Sequence, residues 1–140
     1  MTDVPGKLRL RARDEEDLPV LSAVMQDAVV SPTDMTWRRA ERSFVLVVGR
    51  YCWEGEGHRV MCGVEVRAVT RVRRRGFAQN DADTMLNLLA IAREDAAIRL
   101  TFSGNAEILI ETDALDCVVE DFGEPWPTIF RPSHRAGGES

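Results

Sequence analysis

The feature that most constrains this chain is a change in its hydrophobic period, from about 3.6 residues to 2, at Val29. Beyond that point, short runs of alternating apolar and polar residues are separated by turn-forming residues. In the clearest run, Ile98, Leu100 and Phe102 precede the turn sequence SGN, and Ile108 and Ile110 follow it. Strand side chains alternate between the two faces, so this segment is predicted to form a β-hairpin with one buried face.

Two other runs predict strands that differ in burial. SFVLVVGRYCWE is apolar on both faces from Phe44 to Val48, which predicts a central strand covered on both sides. The next run places Val60, Cys62, Val64 and Val66 on one face and ends in a series of arginines. Such a run is typical of a half-buried strand.

One segment near the start has helical spacing. In DEEDLPVLSAVMQDA the apolar residues recur at steps of three and four, which predicts an amphipathic helix from Asp17 to Ala28. Asp14 or Asp17 is expected to cap it, and Pro19 must fall in its first turn because proline has no N–H to donate. The buried stripe is expected to comprise Leu18, Leu21, Met25 and Ala28.

These patterns predict a mainly β member of the α+β class. One N-terminal amphipathic helix is expected to pack on an antiparallel sheet of about seven strands, rolled or barrel-like so that its edges are protected. The 140 residues suit a single domain, residues 1–140, and 44% of them are hydrophobic. Residues 1–6 and 132–140 are expected to be flexible tails.

The overall charge and the cysteines limit the functional classes. A formal net charge of -5 argues against a protein whose whole surface binds nucleic acid or membrane. The start of the chain lacks the apolar segment of a secretion signal, so a cytoplasmic location is expected. Cys52, Cys62 and Cys117 lie in apolar runs at unmatched spacings, which favours reduced core thiols.

The stretch RAVTRVRRRGF has five arginines in nine residues. Residues 71–75 of this stretch are interpreted as an arginine loop, which is a candidate patch for binding a polyanion or a protein partner. Alternation divides the run, because Arg67, Arg71 and Arg73 share the outward face of a strand if no bulge intervenes. Arg74 and Arg75 are then expected to open the polar loop that follows. The members of the candidate patch are Arg71, Arg73, Arg74 and Arg75.

The region after Leu100 is rich in carboxylates, which suit acid–base chemistry or a hard cation. Alternation instead places most of them on the outer face of a strand, where charge discourages edge pairing. The simpler interpretation is therefore solvated charge. The series comprises Glu107, Glu111, Asp113, Asp116, Glu120, Asp121 and Glu124.

No sequence motif of a known catalytic or nucleotide-binding site is present, so no catalytic residue and no cofactor are predicted. A weak metal candidate is Cys52, His58 and Cys62, which supply three ligands where a structural zinc site needs four. The preferred interpretation is two core thiols and a solvent-facing turn histidine. A candidate pocket comprises Trp53, Cys117, Trp126 and Phe130, which also suit a core and a docked C-terminal segment.

Five separated segments together resemble a known family. They are DEEDLPVLSAVMQDAVV, RSFVLVVGRYCWE, LNLLAI, IRLTFSGNAEILIETDALDCVVEDFG and PWPTIFRPSH, which span about Leu8 to His134. In this order they resemble a bacterial family catalogued as domain of unknown function 2948. The resemblance implies a small soluble bacterial protein with no assigned activity, cofactor or catalytic residue.

Three functional hypotheses follow. The preferred one is a non-enzymatic module that binds itself as a homodimer, or another protein, with the arginines of one copy meeting the acidic hairpin of the other. The second is binding of RNA or another polyanion through residues 71–75. The third is a small-molecule-binding barrel or enzyme with a pocket near Trp53 and Trp126. A membrane partner is not expected.

Overall fold

The computed structural model describes the backbone of residues 8–51 and 58–127 and the side chains of residues 8–51 and 58–122. The described chain contains one α-helix, one 3-10 helix and ten strands. In chain order the elements are β1 (Arg9–Ala12), α1 (Asp17–Met25), β2 (Val29–Val30), the 3-10 helix (Pro32–Asp34), β3 (Met35–Arg38), β4 (Ser43–Tyr51), β5 (His58–Val66), β6 (Val69–Arg75), β7 (Leu86–Glu94), β8 (Ala97–Phe102), β9 (Ala106–Thr112) and β10 (Cys117–Pro127).

The strands form one antiparallel sheet in the order β1-β10-β5-β4-β2-β7-β8-β9-β6, with β3 also paired to β4. We call β1, β10, β5, β4 and β3 the first half, and β7, β8, β9 and β6 the second half; the two-residue strand β2 joins them. The mainly β antiparallel class is confirmed. The count of seven strands and the closed barrel are wrong, because the described sheet is open, with β1 and β6 as its ends.

A bend between β5 and β6 raises the strand count. Ala68 has φ +57°, a left-handed conformation that an extended strand does not adopt. The β5–β10 ladder therefore stops at Val66. Beyond the bend, β6, which follows β5 in the chain, pairs with β9, which precedes β10. Arg67 lies in the bend and not, as predicted, in one strand with Arg71 and Arg73.

The core lies on the inner face of both halves, and the predicted alternation is confirmed there. Val60, Cys62, Val64 and Val66 of β5 are buried. So are all the hairpin residues assigned to the inner face, namely Ile98, Leu100, Phe102, Ile108 and Ile110.

Helix α1 covers part of this core, but it follows β1 and is shorter than predicted. Its stripe of Leu18, Leu21, Met25 and Ala28 is buried as expected, and Pro19 lies in the first turn. The helix ends at Met25 because the following backbone pairs with β7: the N–H of Asp27 donates to the Leu88 carbonyl, and the Leu88 N–H donates to Ala28. At the other end, the Asp14 carboxylate accepts the backbone N–H groups of Glu16 and Asp17.

Candidate functional site

An apolar depression lies on the outer face of the first half. It has a volume of about 290 Å³ and crosses β3, β4, β5 and β10. Its floor consists of Val45, Gly63, Val118 and Phe122. The Phe122 side chain is 48% exposed, which is unusual for an aromatic residue in the middle of a sheet face.

This depression corrects the prediction that β4 is covered on both sides. Phe44, Leu46 and Val48 are buried in the core, whereas Val45 and Val47 on the opposite face are only partly buried. No described element covers that face of β4. The outer apolar residues are therefore surface residues of a central strand.

Gly63 keeps the floor of the depression low. It lies on β5 between Val47 of β4 and Glu120 of β10. A Cβ atom built on Gly63 would meet the Phe122 ring at 3.9 Å and the Glu120 carbonyl oxygen at 4.0 Å. A methyl group fits at ordinary contact distance, while a longer side chain would fill the space.

Charged side chains form the rim. Arg38 lies at one end, 3.8 Å from Glu41, and Glu120 lies on β10, 3.5 Å from Arg9. Glu65, also on the rim, accepts a hydrogen bond of 2.8 Å from the Ser43 hydroxyl. The depression thus has a cationic end at β3 and an anionic end at β10.

The arginine run is a strand and not a loop, since β6 continues to Arg75. Arg71, Arg73 and Arg75 point outward, opposite Glu111, Leu109 and Glu107 of β9. Arg74 points the other way. Its guanidinium donates a hydrogen bond of 2.9 Å to the Gln79 side chain, and its Cζ lies 6.0 Å from the centre of the Phe77 ring. The four candidate residues therefore lie on two faces of β6.

Two of the outward arginines, Arg73 and Arg75, form ion pairs on the outer face of the second half. Arg73 lies 3.0 Å from Glu111, Arg75 lies 3.1 Å from Glu107, and Arg99 contacts both Glu107, at 2.6 Å, and Glu94. The hydrogen bond from Arg99 holds the pKa of Glu107 below its usual range. We call these six residues the charge lattice: Arg73, Arg75, Arg99, Glu94, Glu107 and Glu111.

The acidic series is solvated as predicted with one described exception, Asp121. Asp121 and Arg50 form an ion pair in which both side chains are 0% exposed, with contacts of 3.0 and 2.6 Å. Asp121 also accepts the backbone N–H of Leu8 at 3.0 Å, so the pair ties β4 and β10 to the residue before β1. Sequence reasoning missed it, although Asp121 shares strand parity with buried Cys117 and Val119.

The remaining candidates are not brought together in the described chain. Cys62 and Cys117 are free, buried thiols. Burial raises the pKa of Cys117 to about 12. Burial, and after it the nearby charge of Asp121, also raises the pKa of Cys62 above its usual value. Such thiols are inert at neutral pH. His58 and Cys62 share a face of β5 but lie about 13 Å apart along it, too far for one metal ion.

The other members of those candidate sets lie outside the described residues. They are Cys52, Trp53 and Phe130, together with the side chains of Glu124 and Trp126. The predicted tails, 1–6 and 132–140, also lie there. Within residues 8–51 and 58–122, the structure has no cluster of three or more side chains suited to a metal ion.

The comparisons with known proteins identify the chain by family. The family model described as "Protein of unknown function (DUF2948)" matches residues 8–134. The chain belongs to this family. No curated protein and no solved structure matches the DUF2948 chain. None of its described helices is long and apolar enough to cross a membrane.

Proposed function

We propose that this DUF2948 protein is a protein-interaction module and that a second copy of the same chain docks on its apolar depression. The observation that carries the proposal is the apolar floor that includes Phe122, which no element of the described residues covers. An exposed apolar patch with an aromatic residue at its centre and charges at its rim has the composition of a protein interface.

The rim favours a second copy over an unrelated partner. A two-fold axis that lies parallel to the sheet face, at right angles to the line from Arg38 to Glu120, stacks the two depressions and places the cationic end of one copy over the anionic end of the other. Arg38 of each chain then meets Glu120 of its partner, which is the self-complementary pattern of an isologous dimer. The arginines of the charge lattice pair with glutamates of their own chain, as Arg38 and Glu120 also pair within their chain. The lattice is the weaker basis for a dimer because its face is charged where the depression is apolar.

Sedimentation velocity over a range of protein concentrations tests this proposal. The native chain is expected to form dimers, and Phe122→Lys is expected to make it monomeric because it places a charge in the apolar floor. Leu89→Lys is the matched control, since Leu89 is 43% exposed on β7, outside the depression. A native chain that stays monomeric at high micromolar concentration, or equal effects of the two variants, would contradict the proposal.

A further inference from the structure

A second, larger depression lies between β3 and β6, away from the apolar one. It has a volume of about 600 Å³, which is in the range of small-molecule sites. The four consecutive residues Val69 to Val72 line it, although neighbouring side chains of a strand point to opposite faces. The depression therefore faces the free edge of β6, the last strand of the described sheet.

Arginines surround this depression. Arg39 and Arg42 come from the turn between β3 and β4, and Arg71 comes from β6. We call Arg39, Arg42, Arg71 and Trp37 the arginine cleft. Its lining side chains carry three positive charges and no negative charge, in a protein whose net charge is -5.

Two of these arginines are available to a ligand. Among the described residues, no carboxylate forms an ion pair with Arg39 or Arg71; the strand neighbour of Arg71 is Glu111, which binds Arg73 instead. The third, Arg42, is held in place by two contacts. It forms an ion pair with Asp113, and its Nε donates a hydrogen bond of 3.4 Å to the Val69 carbonyl oxygen.

The cleft also has an aromatic wall. Trp37 is only partly buried, with one part against the core beside Phe44 and another lining the cleft. An indole ring presents a flat apolar surface on which a planar base can stack. Guanidinium groups donate in pairs to phosphate oxygens, so the cleft offers donors for a phosphate next to a surface for a base.

We infer that the arginine cleft binds a nucleoside phosphate, with the phosphate between Arg39 and Arg71 and the base against Trp37. The ligand is either a free nucleotide or one unit of single-stranded RNA, because the recognised chemistry is the same in both. This site differs from the predicted polyanion patch at 71–75, of which it retains only Arg71. It is also independent of the apolar depression, since the two share no lining residue.

The test is a binding titration of the full chain with AMP and with a fluorescein-labelled single-stranded RNA. Arg39→Gln combined with Arg71→Gln is expected to weaken binding of both probes at least tenfold. Arg75→Gln is the matched control for the single variant Arg71→Gln, because Arg75 lies on the same strand outside the cleft and each substitution removes one positive charge. With two or three phosphate contacts, affinity for RNA should fall roughly tenfold between 50 and 200 mM salt.

The aromatic contribution has its own readout. AMP is expected to quench part of the tryptophan fluorescence, and Trp37→Phe is expected to remove that change while circular dichroism reports an unchanged fold. Tighter binding of RNA than of AMP identifies a nucleic-acid strand as the ligand, and equal binding identifies a free nucleotide.

Three outcomes overturn the inference. The first is absence of AMP and RNA binding at 50 mM salt. The second is equal weakening by Arg75→Gln and by Arg71→Gln, which would place the site on the strand face. The third is equal competition by inorganic phosphate or poly-glutamate, which would leave a general anion surface with no nucleoside specificity.

Discussion

The two halves of the sheet differ in where they bury charge and where they expose apolar surface. In the first half an ion pair, Arg50–Asp121, is fully buried in the core, and the centre of the outer face is apolar. In the second half, β8 and β9 fill the core with aliphatic and aromatic side chains, and the charge lattice covers the outer face. The outer face of the second half therefore carries paired charges, whereas no described element covers the apolar centre of the outer face of the first half.

The comparison also separates charges by their energetic role. Two charges taken out of water are tolerated only while they satisfy each other, so removing one of them is costly. Exposed ion pairs add little to the free energy of unfolding, because water and salt screen the two charges. Substitutions in the two halves should therefore differ widely in their effect on stability.

The largest expected effect is that of Asp121→Asn, which removes the carboxylate charge that faces the buried Arg50 guanidinium. The free energy of unfolding should fall by about 3–5 kcal/mol, a large share of the stability of a typical domain. Urea denaturation followed by circular dichroism measures it. The control is Asp83→Asn, the same substitution at an exposed aspartate outside the pair, which should change stability by less than about 0.5 kcal/mol.

A double variant sharpens this result. Arg50→Met combined with Asp121→Leu removes both charges and fills the space with apolar groups, so it should be less destabilised than Asp121→Asn alone. A double variant that is the less stable of the two would show that the pair contributes net stability to the first half.

A smaller effect is expected in the core of the second half. Ile110 is fully buried on β9, and Ile110→Val should cost about 1 kcal/mol through the loss of one methylene group. Leu109, the preceding residue, lies on the outer face, so Leu109→Val should cost clearly less. Equal costs in urea denaturation would contradict the assignment of the two faces.

The sequence predicted the second half more completely than the first. In the hairpin of β8 and β9, each residue assigned to the inner face is buried, because alternation alone decides the face when turns are short and polar. The strand β4 was misjudged for a physical reason: an apolar run on both faces is typical of a covered strand, and the sequence does not show whether another layer covers it.

The buried ion pair and the arginine cleft were harder to predict. Arg50 and Asp121 each share parity with buried neighbours, so alternation alone would have placed both charges inside. The arginine cleft had no such signal, because Arg39 and Arg71 are 32 positions apart and meet only through the bend at Ala68. Such contacts depend on which strands pair with each other over long distances in the chain. Hydrophobic periodicity describes only single strands, so it could not predict the cleft.

The boundary between the halves should respond to pH. Asp116, in the segment between β9 and β10, accepts two hydrogen bonds of 2.9 Å from Arg11, and these hold its pKa below the usual range. A lowered pKa in the folded state adds stability above the usual aspartate pKa, and this stability is lost as pH falls through the folded value.

The comparison of native chain and Asp116→Asn measures that contribution. Because solvent screens the pair, in which the Arg11 side chain is 44% exposed, the difference at pH 7 should be about 0.5 kcal/mol, and it should shrink as pH falls below the usual aspartate pKa of about 4. Urea denaturation at several pH values provides the data. A difference that grows as pH falls would contradict the assigned sign.

The smallest effect is expected for the charge lattice itself. Arg75→Gln removes an end residue with one ion pair, while Arg99→Gln removes a central residue bonded to both Glu94 and Glu107. Holding one side chain for two contacts costs less conformational entropy per contact, so Arg99→Gln should lower the melting temperature more than Arg75→Gln. Both decreases should be below about 2 °C and should vanish at 1 M salt, because exposed charges are then screened. Thermal melts at low and high salt measure them. A large decrease that persists at 1 M salt would mean that the second half, like the first, depends on its ion pairs for stability.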